Sequence, residues 1–269
     1  RQSRRVIDVD ELRRVYRGAV ADVAPLLTPA AVERIAKHNP PLAASDLREY
    51  MRRSEIRYVQ ALRLLDGRAS AADAILEVGG FLGVFPLALA RLGGDVTVAE
   101  RYDLYGGALD GVRALLERSG VRVWDVDFTT AKVPADTFPV VLNMAMLEHV
   151  AGSPRTLMEN LRACCGGHVL IEVPNLAYGY KRWQLLRGRT IHPPLRDVYR
   201  SATPFTGHHR EYTLADVQEL LTLARFRVDA VATFNYSLSG GLGRVRPHDL
   251  LSRLLFSWRE VLMAVATPI

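Results

Sequence analysis

The sequence predicts an α/β fold: a doubly wound, mainly parallel sheet with a helical N-terminal prefix and a C-terminal helix. Three observations carry that prediction. Through the middle of the chain, short and continuously apolar runs alternate with stretches of helical periodicity, as expected when parallel strands are covered on both faces. A glycine-rich turn joins the first of these runs to a helix-like stretch. The 269 residues, 49% apolar and 24% charged, suffice for one sizeable core with additions.

Taken in order, residues 1–71 form a helical extension. Val9 to Asp66 lacks strand alternation, Pro40–Pro41 interrupts it, and Ser45-Asp46 supplies a cap for the next helix. Over Leu47–Leu65 the apolar Tyr50, Met51, Ile56, Val59, Leu62 and Leu65 recur near helical spacing. Residues 72–236 form the core. Its buried strands are Ala74–Val78, Val96–Ala99, Val121–Val126, Val140–Met144 and His168–Val173, with Arg227–Tyr236 as one more at an edge. Helices are expected at Pro86–Leu92, Leu104–Arg118, Pro154–Cys164 and Leu214–Ala224, the last capped by Thr213. An insertion at about 177–206 carries Tyr178, Tyr180, Trp183, Tyr199 and Phe205 among arginines, the make-up of a substrate lid. Residues 237–269 are the glycine-rich connector Ser237–Gly243 followed by an amphipathic helix from Asp249 to Ala266. Leu250, Leu251, Leu254, Leu255, Trp258, Leu262 and Val265 share its apolar face, which suits docking on the core, a homodimer contact or peripheral membrane contact.

The net charge of +6 invites thoughts of nucleic acid, but lysine occurs only at Lys37, Lys132 and Lys181 and the arginines are scattered. Without a basic stripe and interleaved aromatics, no nucleic-acid partner is expected. No apolar run is long enough for a spanning helix, and no signal-peptide pattern is present. The two cysteines, Cys164 and Cys165, are adjacent and form no disulfide framework, so a reducing, cytoplasmic setting is expected.

The segment ILEVGGFLGVFPLALARLGGDVTVAE runs strand, turn, helix, strand and ends in an acid. Gly79, Gly80 and Gly83 permit the sharp reversal, and the helix N-terminus beyond them favours electron-rich groups. Glu100, ending the next strand, can accept hydrogen bonds from the hydroxyls of a ribose. The glycine spacing does not fit the dinucleotide pattern G-x-G-x-x-G. Glu77 would repel a pyrophosphate but suits a ligand bearing an ammonium group.

This segment resembles motif I of the class I S-adenosylmethionine-dependent methyltransferases, an acid followed by G-x-G-x-G, with Phe81 where the middle glycine usually stands. The family's other segments follow in order. VWDVDF is similar to the stretch holding the adenine-binding acid, which the resemblance puts at Asp127, with Asp125 as the alternative and Phe128 covering the ring. FPVVLNMAMLEHV and HVLIEVPNL resemble the fourth and fifth strands, implying that Asn143 and Met144 line the sulfonium side. The resemblance thus implies a Rossmann-like seven-stranded sheet, S-adenosyl-L-methionine as cofactor, and cofactor contacts from Glu77, Gly79, Gly80, Phe81, Gly83, Glu100, Asp127, Phe128, Asn143 and Met144.

Methyl transfer to a hydroxyl needs alignment and a base with a pKa near neutrality, for which histidine is the usual choice. His149 in LEHV and His208 and His209 in TGHHREYT are the candidates. Arg210, Tyr212 and Tyr178 are candidate acceptor contacts. No metal is expected, because adjacent histidines with Glu211 do not match zinc-ligand spacing. The expected activity is O-methylation of a small-molecule acceptor: a sugar, a lipid-linked glycan or a secondary metabolite. An RNA or protein methyltransferase, and a non-catalytic binding subunit suggested by Phe81, are the alternatives.

Overall fold

The computed structural model describes residues 8–44, 46–68, 73–133, 136–236 and 247–269. The Ser237–Gly243 connector and Ser45 of the expected cap lie outside them. Three helices open the chain: α1 (Val9–Val23), α2 (Pro29–Ala36) and α3 (Leu47–Leu65). The Asp8 side chain accepts from the Asp10 N–H, the Thr28 hydroxyl from Ala31 N–H, and Asp46 from the Arg48 and Glu49 N–H groups. Each thereby satisfies donors that the first helical turn leaves open. Leu12, Tyr16, Ala19, Val20 and Val23 return at helical spacing along α1, and all are buried.

The core alternates strand and helix as expected: β1 (Ile75–Val78), α4 (Val84–Arg91), β2 (Val96–Glu100), α5 (Asp110–Arg118), β3 (Arg122–Asp125), β4 (Phe138–Met144), α6 (Arg155–Cys164) and β5 (Cys165–Pro174). The helix expected over Leu104–Arg118 starts only at Asp110. A 3-10 turn at Tyr102–Tyr105 precedes it, and Gly106 and Gly107 at φ 53° and 77° stop that turn from continuing as helix. The lid insertion holds two short helices, α7 (Gly179–Leu186) and α8 (Leu195–Arg200). Then come α9 (Leu214–Leu223), with a reciprocal Thr213–Asp216 capping box, β6 (Phe226–Phe234), α10 (Pro247–Leu254) and β7 (Val261–Pro268).

The seven-stranded sheet has the order β3-β2-β1-β4-β5-β7-β6. β1 to β5 pair in parallel, whereas β7 runs antiparallel between β5 and β6. This corrects the expectation of one amphipathic helix from Asp249 to Ala266. The α-helix ends at Leu254, a 3-10 turn follows at Phe256–Trp258, and Leu262 and Val265 lie in the sheet interior, at 1% and 0% exposure. No continuous apolar face from Leu250 to Val265 therefore exists for a dimer or a membrane. Among the described residues, no helix is long and apolar enough to cross a membrane.

Two apolar layers flank the sheet. Val96, Val98, Val140, Leu142 and Leu170 face α1, α3, α4 and α5, while Leu76, Val78, Val141, Val169 and Ile171 face α6 and α9. Alternation along each strand assigns the faces. Ile75 and Glu77 consequently point toward the N-terminal helices, which cover one face of the sheet rather than standing apart from it.

Candidate functional site

The carboxyl ends of the parallel strands open into one cavity of about 690 Å³. This is the edge where open α/β sheets bind ligands. Its floor is the turn after β1, the ends of β2, β4 and β5, and the segment after β3; its walls are α1, α3 and the lid.

The glycine turn is shaped by close approach. Gly79 has φ 86° and Gly83, the N-cap of α4, φ 69°. A Cβ on Gly79 would meet Met146 Cγ at 2.6 Å, and one on Gly80 would meet Val98 Cγ2 at 2.3 Å. Phe81 itself adopts φ 42°, a left-handed conformation that disfavours side chains but that glycine takes freely. Its N–H donates to Glu100 Oε2 at 2.7 Å, and its ring lies 5.7 Å from that of Tyr105. The other Glu100 oxygen accepts from the Arg101 N–H at 2.7 Å. Burial raises the Glu100 pKa, and these two N–H bonds act against the rise. The Tyr105 side chain also hydrogen-bonds this carboxylate, which leaves it room to accept one ligand hydroxyl.

After β3, Asp127 lines the cavity and Asp125 does not. Asp127 accepts from the Thr129 N–H at 2.8 Å and from Arg101 at 3.2 Å, contacts that hold it ionised below the usual carboxylate range despite burial. Asp125 is taken up instead by the Tyr102 N–H and Arg113. Phe128 and Met144 line the cavity. Asn143 and Glu77 do not, contrary to expectation. Asn143 donates to the Val78 carbonyl at 3.3 Å, stapling β4 to β1. Glu77 points under the turn, where burial first, then the Glu100 charge, pushes its pKa up to about 8. Its Oε2 has no hydrogen-bond partner.

The far end of the cavity gathers all three expected histidines. His149 Nδ1 lies 2.7 Å from the Thr206 carbonyl, and burial lowers its pKa to about 4. It is therefore a neutral ring tying the loop to the sheet. His208 stands edge-on to His149, its Nδ1 3.1 Å from Glu211 Oε1, and Glu211 also receives Lys181. His209 Nε2 is bonded to the Phe205 carbonyl at 2.9 Å. Tyr178 lines the cavity, whereas Arg210 and Tyr212 lie outside it. Tyr212 is buried against the α6 and α9 side of the core, and the exposed Arg210 guanidinium rests over its ring. Chain direction explains this: neighbours in a loop that bridges to Asn175 point to opposite sides.

Several cavity residues were not singled out from the sequence. Glu148 is fully buried, neither carboxylate oxygen meets a donor outside its own residue, and burial pushes its pKa up to about 7. Ligand atoms of Glu148, His149 and His208 all lie within 4.8 Å of one another. Arg57 of α3 reaches across to Glu172 of β5, with Nε 3.0 Å from Oε1 and both groups buried. Tyr58 and Tyr236 flank that guanidinium. An unpaired acid at the end of an apolar strand was the one signal available for Glu172.

Comparison with known proteins bears on this geometry. A family profile described as "Methyltransferase domain" matches residues 30–231. No curated protein sequence matches the chain. A magnesium protoporphyrin IX methyltransferase from Synechocystis PCC 6803, solved with S-adenosylhomocysteine, superposes with TM-score 0.52 at 13% identity, covering 84% of this chain and 88% of that one. A Thermotoga maritima protein described as a possible histamine N-methyltransferase gives TM-score 0.55 at 13% identity, over 83% and 96% of the two chains. For the glycopeptide N-methyltransferase MtfA with S-adenosylhomocysteine the values are 0.52 and 18%, over 78% and 89%. At these identities the superpositions establish the fold.

Proposed function

The chain belongs to the S-adenosylmethionine-dependent methyltransferases of class I, and from that premise we propose that it methylates a hydroxyl of an enclosed small molecule, with His208 as the base. One observation carries the reading. A single cavity joins the glycine turn, Glu100 and Asp127 at one end to His208, Glu211 and Lys181 at the other, under a roof of N-terminal helices and lid.

When bound, S-adenosylmethionine supplies a methyl carbon on a positively charged sulfur that departs as a neutral thioether. Glu100 has room to accept a ribose hydroxyl, Asp127 an acceptor for the adenine amine, and the turn the N–H groups of Gly80 and Leu82 for the carboxylate, those of Gly79, Phe81 and Gly83 being bonded within the protein. At the acceptor end, Glu211 orients His208 through Nδ1, leaving Nε2 to take the hydroxyl proton as the oxygen–carbon bond forms. His149 is a poor base, because a pKa near 4 gives little driving force for removing that proton. His209 serves to hold the lid loop through Phe205. The lid aromatics Tyr178, Tyr180 and Phe205 supply faces on which a sugar or planar ring can rest.

Detection of S-adenosylhomocysteine release across sugars, glycolipids and phenolic metabolites tests this reading. With a productive acceptor, His208→Ala should lower kcat by about 10²–10⁴-fold and leave S-adenosylhomocysteine affinity intact. Full activity in that variant removes the base assignment. Turnover confined to RNA or protein acceptors removes the small-molecule reading.

A further inference from the structure

We propose that Glu148, His149 and His208 form a binding site for one divalent transition-metal ion, of the Zn²⁺ class, at the acceptor end of the cavity. The three residues offer one carboxylate and two imidazole ligand atoms within 4.8 Å of one another, and all three line the cavity. Two further observations set this group apart from a chance cluster.

The first is the state of Glu148. It is 0% exposed, and its two oxygens have no partner beyond their own residue. A buried carboxylate left in that condition is costly unless something positive completes it, and buried charges are found paired or on metals. The nearby cations Arg57 and Lys181 are committed to Glu172 and Glu211. The second observation is the support behind the rings. Nδ1 of His149 lies against the Thr206 carbonyl and Nδ1 of His208 against the Glu211 carboxylate, at 2.7 Å and 3.1 Å. A carbonyl or carboxylate behind one ring nitrogen is the arrangement that fixes metal-ligating histidines and directs the other nitrogen, here Nε2, at the ion.

Two imidazoles and one carboxylate favour Zn²⁺ or a neighbouring transition ion over Mg²⁺ or Ca²⁺, which prefer all-oxygen shells. Three protein ligands leave at least one position open toward the cavity, where an acceptor oxygen can bind. A hydroxyl held there releases its proton to water more readily than a free one. In the metal-loaded protein His208 Nε2 ligates the ion and cannot also be the base, so the base role of the proposed function belongs to the metal-free protein; Zn²⁺ binding is tested without an acceptor, so either can fail alone.

Chelator-stripped protein titrated with Zn²⁺ against a competing chelator should bind one ion per chain, and Co²⁺ should give visible absorption bands of a low-coordinate nitrogen–oxygen site. Glu148→Gln and His208→Ala should each weaken Zn²⁺ by at least about 100-fold, and Glu211→Gln by about 10-fold. His208 is partly exposed on a loop, so its variant is the one expected to fold without penalty; circular dichroism and S-adenosylhomocysteine binding verify that state. The absence of stoichiometric Zn²⁺ binding by the unaltered protein, or equal affinity in folded His208→Ala, overturns the proposal.

Discussion

Glu77→Gln isolates the energetic consequence of the acid beneath the glycine turn. The side chain is 2% exposed, one oxygen lacks a partner, and its pKa stands at about 8 against an ordinary 4.5. The folded protein thus holds Glu77 protonated at neutral pH, whereas the unfolded chain ionises it. Its contribution to stability is complete below about pH 4.5 and is lost as pH rises through 8. At pH 7 the gap of about 2.5 pH units corresponds to a deficit of roughly 3 kcal/mol, an upper bound that local relaxation reduces. Glutamine keeps the shape and a neutral charge, so it removes the pH-dependent deficit. Urea unfolding of both proteins at intervals from pH 5 to pH 8.5 measures this. The variant should gain on the unaltered protein by up to about 1.4 kcal/mol per pH unit between pH 5 and 8, with other buried acids cancelling in the difference. A pH-independent difference would refute the reasoning, since it would mean that Glu77 titrates alike in both states. Because Glu77 does not line the cavity, S-adenosylhomocysteine affinity at pH 7 should change less than about threefold, below the tenfold that 1.4 kcal/mol represents.

Glu100→Ala removes an acceptor from the cavity and strands the Phe81 and Arg101 N–H groups, so S-adenosylhomocysteine binding should weaken by about 1–3 kcal/mol in calorimetry; an unchanged Kd excludes Glu100 from the site. Arg57→Met leaves Glu172 buried without its cation and should cost about 3–5 kcal/mol, read as a Tm drop, with Arg57→Met/Glu172→Met recovering most of it. Thr213→Ala breaks the capping box of α9 and should cost about 1 kcal/mol in urea unfolding without altering cofactor affinity.

What the amino-acid order determined alone is the local part of the architecture. The apolar runs that became β1, β2, β4 and β5 are buried on both faces, so each carries its signal within a few residues. The turn at Gly79–Gly83 and the acid at Glu100 were legible for the same reason: backbone reversal and hydrogen-bond chemistry are written in contiguous residues. Only tertiary structure decided the rest. Val261–Ala266 reads equally well as a buried strand or as the continuation of α10, because an uninterrupted apolar run has no period; pairing with β5 and β6 settles it as β7. Likewise Asn143 and Tyr212 sit in recognisable segments, yet their side chains turn away from the cavity, while Arg57 enters it from a helix with no motif. Which way a side chain faces, and what a distant helix brings beside it, depends on how the layers pack, and packing couples residues that the chain keeps more than a hundred positions apart, as Arg57 and Glu172 are.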